Sequence, residues 1–335
     1  MRYVGVDLHK RSVVMPAEDE HGRRQDSGRF DSQDRPGIVR FFENLKPFRC
    51  VIEASCRYRW FHELISPLGE VILAHPLRLR AIVTGRAKTD KLDAALLARL
   101  LRAGLIPEAY IPPRSYQELR DLARARARLS QQATSAACEL HAMLTRRNIR
   151  MPFANVFSKS AQRWLAGLEL PGVDGFLRDE LTARIRHYRG EMAKLDVLLE
   201  EMSARFPEHE ALTVLHGVGL YSAMLIIGEM GEPARFADGR QVGAYAGLTA
   251  RVSQSGEQSR HGHITRQGSP WLRWILVEAA WQAIRHDAKL RSYYERVRRN
   301  DPNRTKIAVV ATAHHLLRVM HAMLRTGEVW RSAAA

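Results

Sequence analysis

The chain has 335 residues, enough for two or three domains with substantial cores, and its 52 lysines and arginines against 36 acids leave a formal net charge of +16. Such a surplus faces a polyanion: nucleic acid is the leading partner because each neutralised phosphate releases a counterion, although an anionic membrane surface or a ribosome would attract it equally. No uninterrupted apolar run approaches the roughly 18 residues of a membrane span. The opening MRYVGVDLHK lacks the apolar core of a signal peptide, and Cys50, Cys56 and Cys138 form no CxxC pair. These features argue against a membrane protein, a disulfide framework and a zinc site, and predict a cytoplasmic chain with buried, reduced thiols.

Residues 1–105 read as a mixed α/β domain. RYVGVDL and SVVMPA have strand character, and EHGRR supplies turn chemistry before a third strand at GRFD. A helix follows, capped by Ser32 or Asp34, with Ile38, Phe41, Phe42 and Leu45 on one face. Next come a buried strand, RCVIEAS, ending at Glu53, a helix from about Arg57 to Leu68, and a strand EVILA. A last helix, KTDKLDAALLARLLRAG, carries Asp90 and Asp93 at its start. Three antiparallel strands followed by αβαβα is the element order of a ribonuclease H-like domain.

Residues 106–206 are predicted to be helical. Leu122, Leu129, Ala136 and Met143 recur every seven residues beside Leu119, Ala133 and Leu140, a seam that Arg126 interrupts. A second seam runs through Leu177, Leu181, Ile185, Tyr188, Met192, Leu195, Leu199, Met202 and Phe206. A Pro/Gly-punctuated link joins them, so an antiparallel hairpin or a dimer zipper is expected. Residues 207–330 are glycine-rich and then helical: Ser269 and Pro270 open one helix, and Thr305 opens another that Gly327 closes. Residues 331–335 are expected to form a frayed tail.

The first domain holds the clearest chemistry. Asp7 and Glu53 end strands that neighbour each other in this layout, and the helix bearing Asp90 and Asp93 packs beside them. An acid after a strand is ordinarily a turn residue, and an acid at a helix start is ordinarily a cap. Four converging carboxylates, however, raise one another's pKa and call for a divalent cation, magnesium or manganese, that activates phosphodiester chemistry. Lys88 and Lys91 are then candidate phosphate contacts. Gly217 and Gly219 in HGVG fit the hairpin of a helix-hairpin-helix or an ordinary interhelical turn. In residues 244–276, read as a flexible loop, Ser253, Ser255, Ser259 and Ser269 are interspersed with Arg251, Arg260, His261, His263, Arg266 and Arg273. Composition there suits phosphate binding and does not single out a serine.

The segments VGVDLHK, IEAS, KTDKLDA and AGLTARVSQSG…HGHITRQGSPWLRWIL resemble the signatures of insertion-sequence transposases that join a DEDD, RuvC-like domain to a serine-bearing transposase domain. Bridge-RNA-guided recombinases belong to that family. The resemblance spans nearly the whole chain and implies an acidic, magnesium-binding tetrad at Asp7, Glu53, Asp90 and Asp93 and a nucleophilic serine at Ser255. It also implies donor and target DNA as substrates, an element-encoded structured RNA as guide, and a homodimer or homotetramer. Many members have a glycine after EA[ST], where this chain has Cys56. A metal-dependent nuclease or junction resolvase, and a noncatalytic nucleic-acid scaffold, are the competing expectations.

Overall fold

The computed structural model describes residues 1–82, 90–255 and 258–331, the side chains of 90–93 and 252–261 excepted. It divides into two compact units, Met1–Ile111 and Pro112–Ala335.

In the first unit, β1 (Arg2–Leu8), β2 (Ser12–Asp19) and β3 (Arg24–Asp31) form an antiparallel meander, while β4 (Phe48–Glu53) and β5 (Glu70–Ala74) are parallel to β1. The sheet order β3-β2-β1-β4-β5 is the layout expected from the element order. Between β3 and β4 lies α1 (Arg35–Asn44), and between β4 and β5 lies α2 (Tyr58–Ile65). Asp34, not Ser32, caps α1, accepting the Gly37 amide at 2.9 Å. Side chains alternate along each strand. Val4, Val6, Cys50 and Ile52 therefore enter one core with Phe42, Phe61 and Ile65, whereas Val51 and Ile72 enter another with Leu97, Leu100 and Leu101. The sheet is covered on both faces, which explains the near-continuous apolar runs of β1 and β4.

The second face is covered by α3 (Pro76–Ile82) and α4 (Asp90–Arg102). The first of these has no signature in the sequence: PLRLRAI is too short and too basic to show helical periodicity. Gly5 lets α4 approach β1, because a Cβ there would sit 1.8 Å from the Ala94 carbonyl oxygen. At the other end of α4, Arg102 Nε donates to Glu18 Oε1 at 2.8 Å, and Glu18 is paired with Tyr3. The helix thus runs antiparallel to β1, with its first turn at the carboxyl end of that strand.

In the second unit, α5 (Arg114–Arg146) and α7 (Val173–Ser203) form an antiparallel hairpin, with α6 (Lys159–Gly167) inside their connection. Ala136, Leu140 and Met143 pack with Leu181 and Ile185 at one end, and Leu119 and Ala123 share a core with Leu199 and Phe206 at the other. Not every expected seam position is buried: Leu177 is 37% exposed, and Tyr188, Met192 and Leu195 are half-buried. Arg126, which breaks the first seam, ties the hairpin together. Its Nε donates to Asp196 at 3.0 Å and its guanidinium lies 4.1 Å from the Tyr221 ring centroid.

The remaining elements are α8 (His209–Thr213), α9 (Leu220–Met230), α10 (Gly239–Ala246), β6 (Ala250–Ser255), β7 (Gln258–Ile264), α11 (Pro270–His286), α12 (Ala288–Arg298) and α13 (Thr305–Thr326). Ser269 caps α11 and Gly327 closes α13 in a left-handed conformation, as expected. Thr305 is not a cap: it is the first helical residue, and its hydroxyl donates to the Pro302 carbonyl at 2.7 Å. The expectation of buried thiols fails for two of the three, since Cys56 and Cys138 are exposed. Helix Pro302–Thr326 is long and apolar enough by length and composition to cross a membrane, despite the charges within it, and half of its apolar window is buried inside the unit.

Candidate active site

The parallel register Val6↔Ile52 makes Asp7 and Glu53 the next residues along two hydrogen-bonded strands, spaced about 4.8 Å apart. Asp7 shares a strand face with Gly5, and Glu53 shares one with Val51; that is the face covered by α4. The first turn of α4, which carries Asp90, Lys91 and Asp93, begins at this end of the sheet. Their side chains, and Lys88 altogether, lie outside the described residues. Among the described residues no group of three or more His, Cys, Asp or Glu side chains is placed to hold a metal ion. The pair Asp7 and Glu53 nevertheless offers the hard oxygen donors that magnesium or manganese prefers.

Two neighbours at this end are not evident from the sequence. His9 Nε2 lies 3.1 Å from Asp7 Oδ2. Arg57 Nη1 donates to the Leu8 carbonyl at 3.5 Å. The i, i+2 spacing of Asp7 and His9 was the available signal for the first; nothing local announced the second.

The Ser/Arg-rich stretch is not a loop but a β-hairpin. Ala250 pairs with Ile264, Ser253 with Arg260, and Ser255 with Gln258. Ser255 therefore ends β6 at the hairpin tip. The alternation was hidden because Val252 and Ile264 are nearly the only large apolar residues in these strands.

The hairpin base is tightly built. Gly247 (φ +69°) and Gly268 (φ +77°) are left-handed, and a Cβ on Gly268 would lie 1.9 Å from the Tyr245 carbonyl oxygen. Arg266, also at positive φ (+55°), donates its amide to the Gly247 carbonyl at 3.1 Å and keeps its side chain exposed. Arg273 reaches in from α11: its Nη1 donates to the carbonyls of Ala246 (3.0 Å), Gln267 (2.9 Å) and Gly268 (3.3 Å). Burial, and then the charge of Arg266, lower its pKa from the ordinary arginine value.

Gly217 (φ +86°) turns the HGVG loop against α11, where a Cβ would lie 2.4 Å from Gln282 Cβ. Gly219 precedes α9 in open space, and residues 213–219 line a surface concavity. The turn thus leaves the amino end of α9 accessible. His314, His315 and His321 form no metal cluster among the described residues; buried His321 lies 3.1 Å from the Pro233 carbonyl through Nε2.

Residues 4–149 match a family model described as a transposase, of the DEDD type of IS110, and residues 209–295 match the model described as the transposase IS116/IS110/IS902 family. The chain is 27% identical to a Pseudomonas aeruginosa protein named "Probable family 20 transposase", over 98% of each chain. It is 25% identical, over 84% of each chain, to the transposase for insertion sequence element IS1533 of Leptospira borgpetersenii. It is also 25% identical to the transposase for insertion sequence element IS1328 of Yersinia enterocolitica, over 83% of this chain and 82% of the relative. With an α/β domain ending in paired acids at one terminus and a helical unit matched separately at the other, the chain belongs to the IS116/IS110/IS902 family of insertion-sequence transposases, enzymes that cleave and rejoin DNA strands.

Proposed function

We propose that this transposase recombines DNA through a serine nucleophile, with a divalent cation held by Asp7, Glu53, Asp90 and Asp93 and with an element-encoded RNA choosing the sequences. The observation that carries the reading is the side-by-side position of Asp7 and Glu53 at the end of the sheet where the first turn of α4 begins. Bound there, magnesium or manganese would neutralise charge on the reacting phosphate. Ser255 Oγ forms a bond to phosphorus as the bond to one deoxyribose oxygen breaks. The hydroxyl proton passes to solvent and the leaving oxygen takes one up. Attack by the hydroxyl of a second strand reverses the step and frees the serine, so strands exchange without net hydrolysis.

Lys88, Lys91, Arg260 and Arg266 are proposed phosphate contacts, and the amide groups of the HGVG turn a further one. The active form is proposed to be a homodimer or homotetramer. The guide RNA rests on the resemblance in sequence; the charge of +16 speaks only for a polyanion.

The test is to denature reaction mixtures and map a covalent protein–DNA adduct by mass spectrometry. The adduct is expected on Ser255 and absent from Ser255→Ala. Strand cutting retained by Ser255→Ala would favour a metal-dependent nuclease or junction resolvase instead. Unchanged activity of Asp7→Ala would favour a noncatalytic scaffold. Full-rate recombination by protein stripped of RNA would remove the guide.

A further inference from the structure

Three helices of the second unit bring together a basic surface that the chemistry above does not use. On α12, Tyr293 stacks on His315 of α13, with centroids 4.6 Å apart and planes at 13°. The Arg296 guanidinium lies 5.1 Å from the same Tyr293 ring. One turn further along α13, Arg318 crosses to α10, where a Cβ on Gly239 would lie 3.1 Å from its Cγ and Nε. The next residue of α10 is Arg240. The glycine thus lets the Arg318 stem lie on the α10 backbone, next in sequence to Arg240.

Arg240, Arg296 and Arg318 are all exposed, and none has an ion-pair partner among the described residues. Of the carboxylates nearby, Asp238 interacts electrostatically with Arg240 and Arg318 without a close ion pair, and Glu295 is taken by another arginine. Asp238 caps α10, accepting the amides of Arg240 and Gln241 at 2.8 and 2.9 Å. Glu295 pairs with Arg298 at 3.1 Å. Both Arg318 and Arg296 bear on His315, which burial already holds below the ordinary histidine pKa. Three exposed arginines against the one Asp238 carboxylate leave positive charge in excess, and a polyanion relieves the repulsion among them. Guanidiniums fixed by an aromatic ring and by a glycine contact are partly preorganised for phosphate oxygens.

We infer that Arg240, Arg296 and Arg318, with the Tyr293–His315 stack, form a contact site for the phosphodiester backbone of duplex DNA. The inference rests on membership of a DNA transposase family and not on the serine or RNA reading, so it stands or falls separately from them.

The experiment measures duplex DNA binding by the full-length protein against salt. Arg240, Arg296 and Arg318 all replaced by Ala should flatten log K against log salt by about 2 to 3 units, so that wild type loses about 40-fold more affinity between 50 and 200 mM salt. Arg296→Ala alone, which leaves the other contacts intact should the triple variant misfold, should flatten it by about one unit. A control replaces Arg49, Arg114 and Arg184, each already paired with a glutamate, and changes net charge equally; its slope should stay near wild type. Equal loss in the control, an unchanged slope in Arg296→Ala, or loss of RNA binding with DNA binding intact would each overturn the inference.

Discussion

A Cβ placed on Gly5 would lie 1.8 Å from the Ala94 carbonyl oxygen and 2.7 Å from the Ala98 amide nitrogen, so α4 rests directly on the backbone of β1. Both obstacles are main-chain atoms of a helix and cannot rotate aside. Gly5→Ala should destabilise the first unit by about 1–3 kcal/mol through overpacking. It should also shift the first turn of α4 away from Asp7. Thermal melting should show the loss, and strand cutting should fall more steeply than DNA binding. A wild-type melting curve would refute the close packing.

The two strand-end acids should behave alike. Asp7→Asn and Glu53→Gln remove charge while keeping shape, and each should lower strand cutting by about 100-fold or more if the carboxylates serve the transition state. Duplex affinity should be little changed. Chelation should abolish cutting by wild type, with recovery on adding magnesium or manganese. Cutting that survives chelation would separate the acids from a metal.

Arg273 makes a different prediction from the exposed arginines. With Nη1 donating to three backbone carbonyls at the base of the β6–β7 hairpin, Arg273→Ala should leave the salt slope of DNA binding near wild type. The carbonyls would lose their shares of two N–H donors on a charged group, each full bond contributing about 1.5–3 kcal/mol when well formed. Arg273 is part-exposed, and solvent reduces the total. Hydrogen exchange of the β6 and β7 amides should accelerate. A slope flattened by about one unit would reassign Arg273 to phosphate.

The core of the second unit contains an asymmetric ion pair. Glu229 is 1% exposed, and Arg124, whose Nε and Nη2 reach its carboxylate at 2.5 and 2.8 Å, is 30% exposed. Arg124→Ala should therefore cost more than Glu229→Gln, because it strands a buried charge while the reverse change leaves a cation that water can reach. About 3 kcal/mol is expected for Arg124→Ala, at the low end of the range for broken buried pairs since Arg120 remains 3.9 Å away. Denaturant titration of both variants gives the order directly; the opposite order would refute the argument.

The sequence by itself determined the elements with a clear apolar run, heptad or cap. Short apolar runs marked β1, β4 and β5, heptads marked α5 and α7, and Ser269 with Pro270 fixed the start of α11. It also supplied Asp7 and Glu53 as candidates, since an acid closing an apolar strand stands out. It could not show the β6–β7 hairpin, whose polar strands carry too few apolar residues to reveal their alternation. Nor could it reveal α3, which is a single short basic stretch. Only the tertiary structure decided which residues meet: that the β1–β4 register sets Asp7 beside Glu53, that Gly5 admits α4, that Arg273 points inward, and that Arg240, Arg296 and Arg318 gather from three helices. Such contacts are set by packing between distant segments, and local spacing carries no record of them.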